Sequence, residues 1–360
     1  MRNDTKVKDI VVLIPALNPD EKMVVYVNKL IEVGFAGIVL VDDGSDQKHQ
    51  VYFEQLQPLP QVTVLHHEKN RGKGRALKTG FEWCLQNMPD CQGIVTADSD
   101  GQHGPEDTMR VAEALVRQPS ALILGIRDFN LENVPFKSRF GNKLTTVIFA
   151  LLYGKWLCDT QTGLRGIPYT LLPALCSLSG ERFEYEIRVL IYAAKHKIDV
   201  CEITIETIYI HENEETHFDP VIDSIKIYKV LFGLFFRYLI ASLSSFLIDM
   251  GIFALLNTFL FAGWGLKTNI IASTVCARVI SSLYNFMVNR NLVFGAEGKM
   301  VRHFLRYYAL VIAQMACSAV LVYVFTKAFS GGAVGIKIIV DTCLFVISYQ
   351  IQQRIVFAKS

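Results

Sequence analysis

Eight cysteines are scattered along the 360 residues without one C-x-x-C pair, and no histidine stands at zinc-finger spacing. That pattern excludes a disulfide framework and structural zinc; it fits a reducing compartment in which cysteines serve as small hydrophobes. Charge of one sign is also lacking. With 36 Lys and Arg against 34 Asp and Glu, the net charge of +2 carries no nucleic-acid signature. The G-x-x-x-x-G-K-[ST] loop is missing and no G-x-G-x-x-G follows the first strand, which argues against P-loop and dinucleotide chemistry. There is no repeat of 20–50 residues and no low-complexity tract. The polar start, MRNDTKVKD, leads into an apolar run too short for a secretory leader, so it reads as a strand.

What the chain has in excess is apolar residues, 51% of the total, and the surplus lies after about residue 229. Length alone suggests about two domains. The first part alternates β-branched runs, at residues 10–17, 37–41, 61–65 and 121–125, with helical patterns at 20–33 and from 70–75 to 87. Strands separated by helices of that size mean βαβ units and a mostly parallel α/β sheet. Further helices are expected at 140–153 and from 183, and an imperfect alternation at 199–209 predicts another strand.

The polar residues gather where such strands end. Residues 94–103 read IVTADSDGQH, an apolar strand closing on Asp98 and Asp100, then Gly, Gln102 and His103. Two carboxylates at one strand end repel each other unless a cation sits between them, and oxygen ligands of this kind suit Mg²⁺ or Mn²⁺ bound with a substrate diphosphate. Ligands of open α/β sheets bind just beyond the carboxyl ends of the strands. Asn18, Asp42-Asp43-Gly44-Ser45 and the Gly72-Lys73-Gly74 turn are placed on that same edge, the turn with backbone N–H groups able to face a diphosphate. Taken alone, Asp42-Asp43 reads equally well as a capped turn. Residues 158–166, CDTQTGLRG, form a second polar cluster that is either a pocket wall or a capped loop.

After about residue 237 four apolar segments, at 238–262, 268–290, 307–329 and 334–356, each have the roughly 20 residues needed to cross a bilayer. Arg290, Lys299, Arg302 and Arg306 crowd the second connection, so the positive-inside rule puts the soluble part, that connection and the C-terminus in the cytoplasm. Asp249, Arg278 and Asp341 lie within the spans at roughly 20, 15 and 10 Å depth. They predict an intramembrane ion pair that fixes helix packing, or a polar path for a lipid headgroup. Residues 221–236 read as an interfacial helix or a plain linker helix.

The strings IPALNPD, VDDGSD, NRGKGRALKTG, TADSDGQH, DTQTGLRG and RFEYEI, in that order over about residues 8–210, closely resemble glycosyltransferase family 2, and within it the dolichol/polyprenol-phosphate sugar synthases. The membrane half resembles the GtrA-like family through RYLIASLSSFLIDMGIFALL and ARVISSLYNFMVNRNLVF. The resemblance implies a GT-A domain at 1–220, a juxtamembrane helix at 221–236 and four transmembrane helices within 237–360. It implies an inverting transfer of a sugar from a nucleotide-diphosphate sugar to a polyprenyl phosphate with Mg²⁺ or Mn²⁺, at the plasma membrane. No nucleic-acid partner is implied, and homo-oligomerisation is left open.

Carried over by residue, Pro15, Asp42, Asp43, Lys73, Asp98, Ser99, Gln161 and Thr162 would contact the nucleotide sugar. Asp98, Asp100 and Gln102 would hold the metal, Asp159 and Asp100 would serve the chemistry, and Arg127 and Arg139 would take the acceptor phosphate. The family's I-P-x-Y-N-E loop is altered here, with Leu17 and Pro19 in the aromatic and acidic places, which leaves UDP or GDP open. Two rival readings are a processive polysaccharide synthase and a non-enzymatic flippase or scaffold. The first lacks its Q-x-x-R-W string, since residues 350–354 read QIQQR. The intact acidic string speaks against the second.

Overall fold

The computed structural model describes residues 7–129, 136–206, 222–329 and 333–358. The chain divides into two compact units, Met1–Leu231 and Phe232–Ser360.

The first unit is built on a seven-stranded sheet. In chain order its elements are β1 (Ile10–Ala16), α1 (Glu21–Glu32), β2 (Gly37–Asp42), α2 (Gln50–Leu56), β3 (Val62–His66), α3 (Lys73–Asn87), β4 (Gly93–Thr96), α4 (Pro105–Arg117), β5 (Leu122–Arg127), α5 (Phe136–Tyr153), β6 (Arg165–Pro168), α6 (Leu172–Cys176), α7 (Glu184–Lys195) and β7 (Val200–Ile205). The strands lie in the order β3-β2-β1-β4-β6-β5-β7. All pairings are parallel except those of β6, which runs antiparallel between β4 and β5. All residues of β1 and β2 are buried, as expected of strands covered on both faces. In α1 the buried residues Met23, Tyr26, Val27 and Leu30 follow the i, i+3, i+4, i+7 stripe, and the Asp20 carboxylate caps the helix by accepting the Lys22 N–H.

The expected parallel α/β class holds, with one strand that the periodicity does not reveal. β6 has only four residues, Arg-Gly-Ile-Pro, the first two of them the end of the polar D-T-Q-T-G-L-R-G string, so neither length nor alternation marks it. It carries that string into the sheet beside β4. The strand expected at 199–209 is β7 up to Ile205; residues 207–209 lie outside the described ones.

The remaining helices are α8 (Ile222–Leu255), α9 (Leu266–Val288), α10 (Met300–Phe329) and α11 (Ala333–Ile351). Residues 222–236 are not a separate helix, because α8 continues without a break into the first apolar segment. With their short extensions these helices provide four segments long and apolar enough to span a membrane: Asp223–Leu260, Leu266–Val293, Met300–Ala328 and Val334–Val356. Three end in five-residue π-turns, Leu256–Leu260, Asn289–Val293 and Gln352–Val356. Arg278 of α9 pairs with Asp249 of α8 at 3.4 Å; the arginine side chain is 72% exposed while that of Asp249 is 13% exposed, so the pair joins the two helices with its basic end at the surface. Asp341 stays apart from that pair. It is held by Lys337 at 2.8 Å and by the Ser318 hydroxyl.

Candidate active site

β4 ends at Thr96, in the middle of the sheet between β1 and β6, and the chain leaves it through Ala97 into Asp98-Ser99-Asp100. Asp98 is surrounded by partners. Lys73 Nζ, from the first turn of α3, lies 2.7 Å from Oδ1 and also 3.2 Å from Glu186 of α7. His103 Nε2 stands 3.5 Å from Oδ2. Burial by itself would raise the Asp98 pKa; the Lys73 ammonium and the His103 contact outweigh it and hold the carboxyl well below the usual carboxylate range. Lys73 is correspondingly held above its ordinary value, because the charges of Asp98 and Glu186 overcome its own burial. Gly163 completes the enclosure: a Cβ at that position would collide with the Asp98 carboxylate, and the Gly163 carbonyl accepts the Thr96 hydroxyl at 2.8 Å. The D-T-Q-T-G string therefore needs glycine there because the acidic loop lies directly against it.

Asp100 differs from its neighbour. Among the described residues its carboxylate accepts only the Gln102 N–H, at 3.0 Å. Burial, and after it the nearby Asp98 charge, push its pKa up. A half-buried carboxylate whose charge is disfavoured by protein alone, followed by the Gln102 amide, suits a hard divalent cation. Among the described residues no group of three or more His, Cys, Asp or Glu could hold such an ion by itself. Asp98, with Lys73 already against it, is less open to a metal than Asp100, and Ser99 is half-buried beside them.

Asp42 and Asp43, at the end of β2, are almost fully buried and are used to build loops. Asp42 accepts the Ser45 N–H at 2.8 Å, Gln50 Nε2 at 2.9 Å and lies 3.0 Å from His66 Nδ1. Burial opposes its ionisation, and these bonds reverse the effect, leaving the pKa lowered. Asp43 accepts the backbone N–H groups of Arg71 and Gly72 at 2.9 and 2.8 Å and lies 2.7 Å from His67 Nδ1, while His67 Nε2 lies 3.0 Å from the Thr79 hydroxyl. So this carboxylate shapes the glycine-rich turn ahead of α3, where Gly72 has φ of +98°. Asn18, at φ of +48°, links the neighbouring loops by accepting the Asp46 N–H and donating its own to Ser45 Oγ. Pro15 is buried within β1, two residues past the last pairing with β4, where a missing N–H is tolerated.

Asp159 is fully buried. Arg127, at the end of β5, grips it with two guanidinium nitrogens, Nε at 2.7 Å and Nη2 at 3.1 Å, while the Gln161 N–H donates to Oδ1 at 3.0 Å. The implied acceptor-phosphate arginine and the implied reacting carboxylate are thus one bidentate pair. Thr162 is buried and gives its hydroxyl to Gly125 O at 2.6 Å, so the side chain anchors the loop to β5; Gln161 is exposed beside it. Arg139 lies at the start of α5, less than one turn before Asn142, whose amide fastens the Asp159 loop at Cys158 O, 2.7 Å away. Sequence reasoning missed four residues that hold this edge together: Glu186, His67, Asn142 and Arg165. Glu186 and Arg165 stand in quoted motifs, and Arg165 donates to Thr162 O and Glu186 O, joining the two strings. His67 and Asn142 carry no signal, because their partners are distant in the chain.

Residues 11–172 match the Glycosyl transferase family 2 model, and residues 237–357 match the GtrA/DPMS transmembrane domain. The UDP-N-acetylglucosamine–dolichyl-phosphate N-acetylglucosaminyltransferase of Methanococcus voltae is 31% identical over 219 residues, covering 56% of this chain and 86% of that protein. The polyprenol monophosphomannose synthase of Mycolicibacterium smegmatis is 25% identical, covering 54% of this chain and 75% of its own length. Among solved structures, glucosyl-3-phosphoglycerate synthase from Mycobacterium tuberculosis matches with a TM-score of 0.47 at 15% identity, over 62% of this chain and 78% of that one. The acidic strand end, the interlocked motifs and the apolar spans thus have their counterpart in a known lineage: the chain belongs to glycosyltransferase family 2 and is an integral membrane glycosyltransferase with a GtrA/DPMS transmembrane domain.

Proposed function

We propose that the enzyme transfers a sugar, with inversion, from a nucleotide-diphosphate sugar to a polyprenyl phosphate, making a lipid-linked monosaccharide for cell-envelope glycosylation. The observation that carries this reading is Asp98-Ser99-Asp100 at the carboxyl end of β4, enclosed by Lys73, Glu186 and Gly163, in a chain that also has four membrane-spanning segments. The names of the two relatives, acting on dolichyl phosphate and on a polyprenol, support the lipid acceptor. Donors in keeping with them are UDP-GlcNAc and GDP-mannose; UDP-glucose fits equally, and undecaprenyl and dolichyl phosphate are both acceptable lipids.

Asp100 and Gln102 would hold Mg²⁺ or Mn²⁺, with Asp98 behind them; when bound, the ion neutralises charge on the leaving diphosphate. Lys73 keeps Asp98 ionised and in place. A lipid phosphate is anionic at neutral pH, so no hydroxyl has to lose a proton and a strong base is unnecessary. Asp159 fits that economy: buried and bidentate on Arg127, it is a positioning residue that aims the guanidinium at the acceptor phosphate, with Arg139 as the second cation. Gln161, exposed on the same loop, faces the sugar, and Asp42, Asp43 and Pro15 shape the nucleotide side. Rate then comes from positioning and from charge stabilisation. Arg290, Lys299, Arg302 and Arg306, at the facing ends of the second and third spans, support a cytoplasmic catalytic unit, the side where nucleotide sugars are made.

The test is a screen of UDP-glucose, UDP-GlcNAc and GDP-mannose against the purified protein with a polyprenyl phosphate and Mn²⁺. One donor is expected to yield a lipid-linked monosaccharide. Absence of product from all three would overturn the proposal.

A further inference from the structure

Two parts of the membrane unit can be laid over each other. Phe236-Arg237-Tyr238 opens the first apolar segment and Leu305-Arg306-Tyr307 the third. Asn289-Arg290-Asn291-Leu292-Val293-Phe294-Gly295 follows α9, and Gln352-Gln353-Arg354-Ile355-Val356-Phe357-Ala358 follows α11. Both closures are π-turns sealed by the same backbone bond, Phe294 N–H to Asn289 O at 2.9 Å and Phe357 N–H to Gln352 O at 2.8 Å. The π-helix is a rare conformation; of the three among the described residues these two fall at matching places, while the third, Leu256–Leu260, corresponds to regular helix in α10.

The side chains repeat the match as geometry. The Tyr238 and Tyr349 rings lie 5.4 Å apart, and so do their counterparts, Tyr307 and Phe286. Tyr238 to Phe294 is 6.1 Å against 6.3 Å for Tyr307 to Phe357. Phe294 to Tyr349 is 6.1 Å against 6.0 Å for Phe357 to Phe286. Residues that would fall on a two-fold axis meet their own counterparts: Phe294 stacks on Phe357 at 5.3 Å, and Asn289 Nδ2 donates to Gln352 Oε1 at 3.2 Å. Farther along the spans, Asp249 stands as far beyond Arg237 as Ser318 does beyond Arg306. Arg278 likewise precedes Asn289 by the same interval as Asp341 precedes Gln352. At that level the corresponding positions meet in both hairpins: Arg278 lies 3.4 Å from Asp249 in the first, and Ser318 Oγ donates to Asp341 in the second.

We propose that the membrane unit is an internal pair: two copies of one helical hairpin, residues 237–295 and 305–358, docked about a pseudo-two-fold axis through a self-complementary face. The partner that each face fits is the other hairpin. At its centre is the Asn289–Gln352 amide pair, both residues almost fully buried, and around it lie the six rings of Tyr238, Phe286, Phe294, Tyr307, Tyr349 and Phe357. Tyr238 reaches across to the other hairpin, where Gln352 Nε2 donates to its hydroxyl at 3.2 Å. This is an isologous contact, in which residue i meets j and j's counterpart meets i's. Both hairpins leave and return on the same side, so the axis runs along the helices, as in parallel-repeat membrane folds.

Two measurements test the pair on the full chain. In the first, Asn289→Ala, Gln352→Ala and the double variant are compared by thermal denaturation in detergent. Each single variant is expected to lower Tm, and the double variant to fall by less than the sum of the two, since the Asn289–Gln352 bond is lost only once while the bonds of Gln352 to Tyr238 and of Asn289 to Asn285 are lost separately. Losses that add in full would overturn the proposal. The second keeps every residue native and cuts the chain once between residues 296 and 299, with both pieces expressed together. The pieces are expected to co-purify through one tag; pieces that each insert but separate on extraction would also overturn it.

Discussion

Asp98 and Asp100 show how two identical side chains two residues apart take different tasks. Asp98 is neutralised from within by Lys73 at 2.7 Å, whereas Asp100 accepts a backbone N–H, and burial with the Asp98 charge outweighs the more distant His103 and Lys73 to raise its pKa. Replacing Asp100 with Ala should therefore lower transfer by at least roughly 10²–10³-fold, in the range of losing one preorganised charge-stabilising group, while thermal stability and membrane insertion stay unchanged. A variant that fails to insert would make Asp100 a structural residue. Asp159→Asn should keep nucleotide binding, measured by titration of the purified protein, and lose turnover, because the neutral amide grips Arg127 less firmly. Near-normal turnover with intact binding would remove Asp159 from the mechanism. Gly163→Ala acts on a different quantity: the added methyl would displace the Asp98 carboxylate, so both metal affinity and transfer should fall together.

At the scale of elements, the catalytic edge is a set of loops that hold one another. Asp43 is the main tie, since its carboxylate takes two backbone N–H groups of the turn before α3. Asp43→Ala leaves those donors without their partner and should destabilise the first unit by about 1–3 kcal/mol, read as a lower denaturation midpoint together with weaker nucleotide affinity. Isolated loss of nucleotide affinity at unchanged stability would instead assign Asp43 to direct ligand contact. The sequence made the order of strands and helices legible because β-branched runs and amphipathic stripes report burial directly. It also made the acidic strand end legible, since carboxylates at the end of an apolar run have few structural uses. Tertiary partnership was not legible. Lys73 and Thr162 were legible as candidate nucleotide-sugar contacts, but not the bonds of Lys73 to Asp98 and Glu186 or of Thr162 to β5. β6 escaped notice because four residues carry no period, and the hairpin repeat escaped because its copies share a pattern of helix ends more than a string of letters.

The whole molecule combines a chemistry of charged groups with a solvent of hydrocarbon, and the two respond to different treatments. Chelation of divalent ions with EDTA should abolish transfer from any donor, and added Mn²⁺ should restore it, while the membrane-embedded helical signal in circular dichroism stays constant. Persistent transfer after exhaustive chelation would rule out a dependence on Mg²⁺ or Mn²⁺. The number of spans has a consequence of its own. Among the described residues the segments able to span number four, which is even, so a chain that enters the bilayer at α8 emerges after α11 in the compartment from which it started. Parity makes this independent of which compartment that is. A reporter fused after residue 358 would therefore announce the address of the catalytic unit from the far end of the polypeptide, without a single change near the residues that do the chemistry.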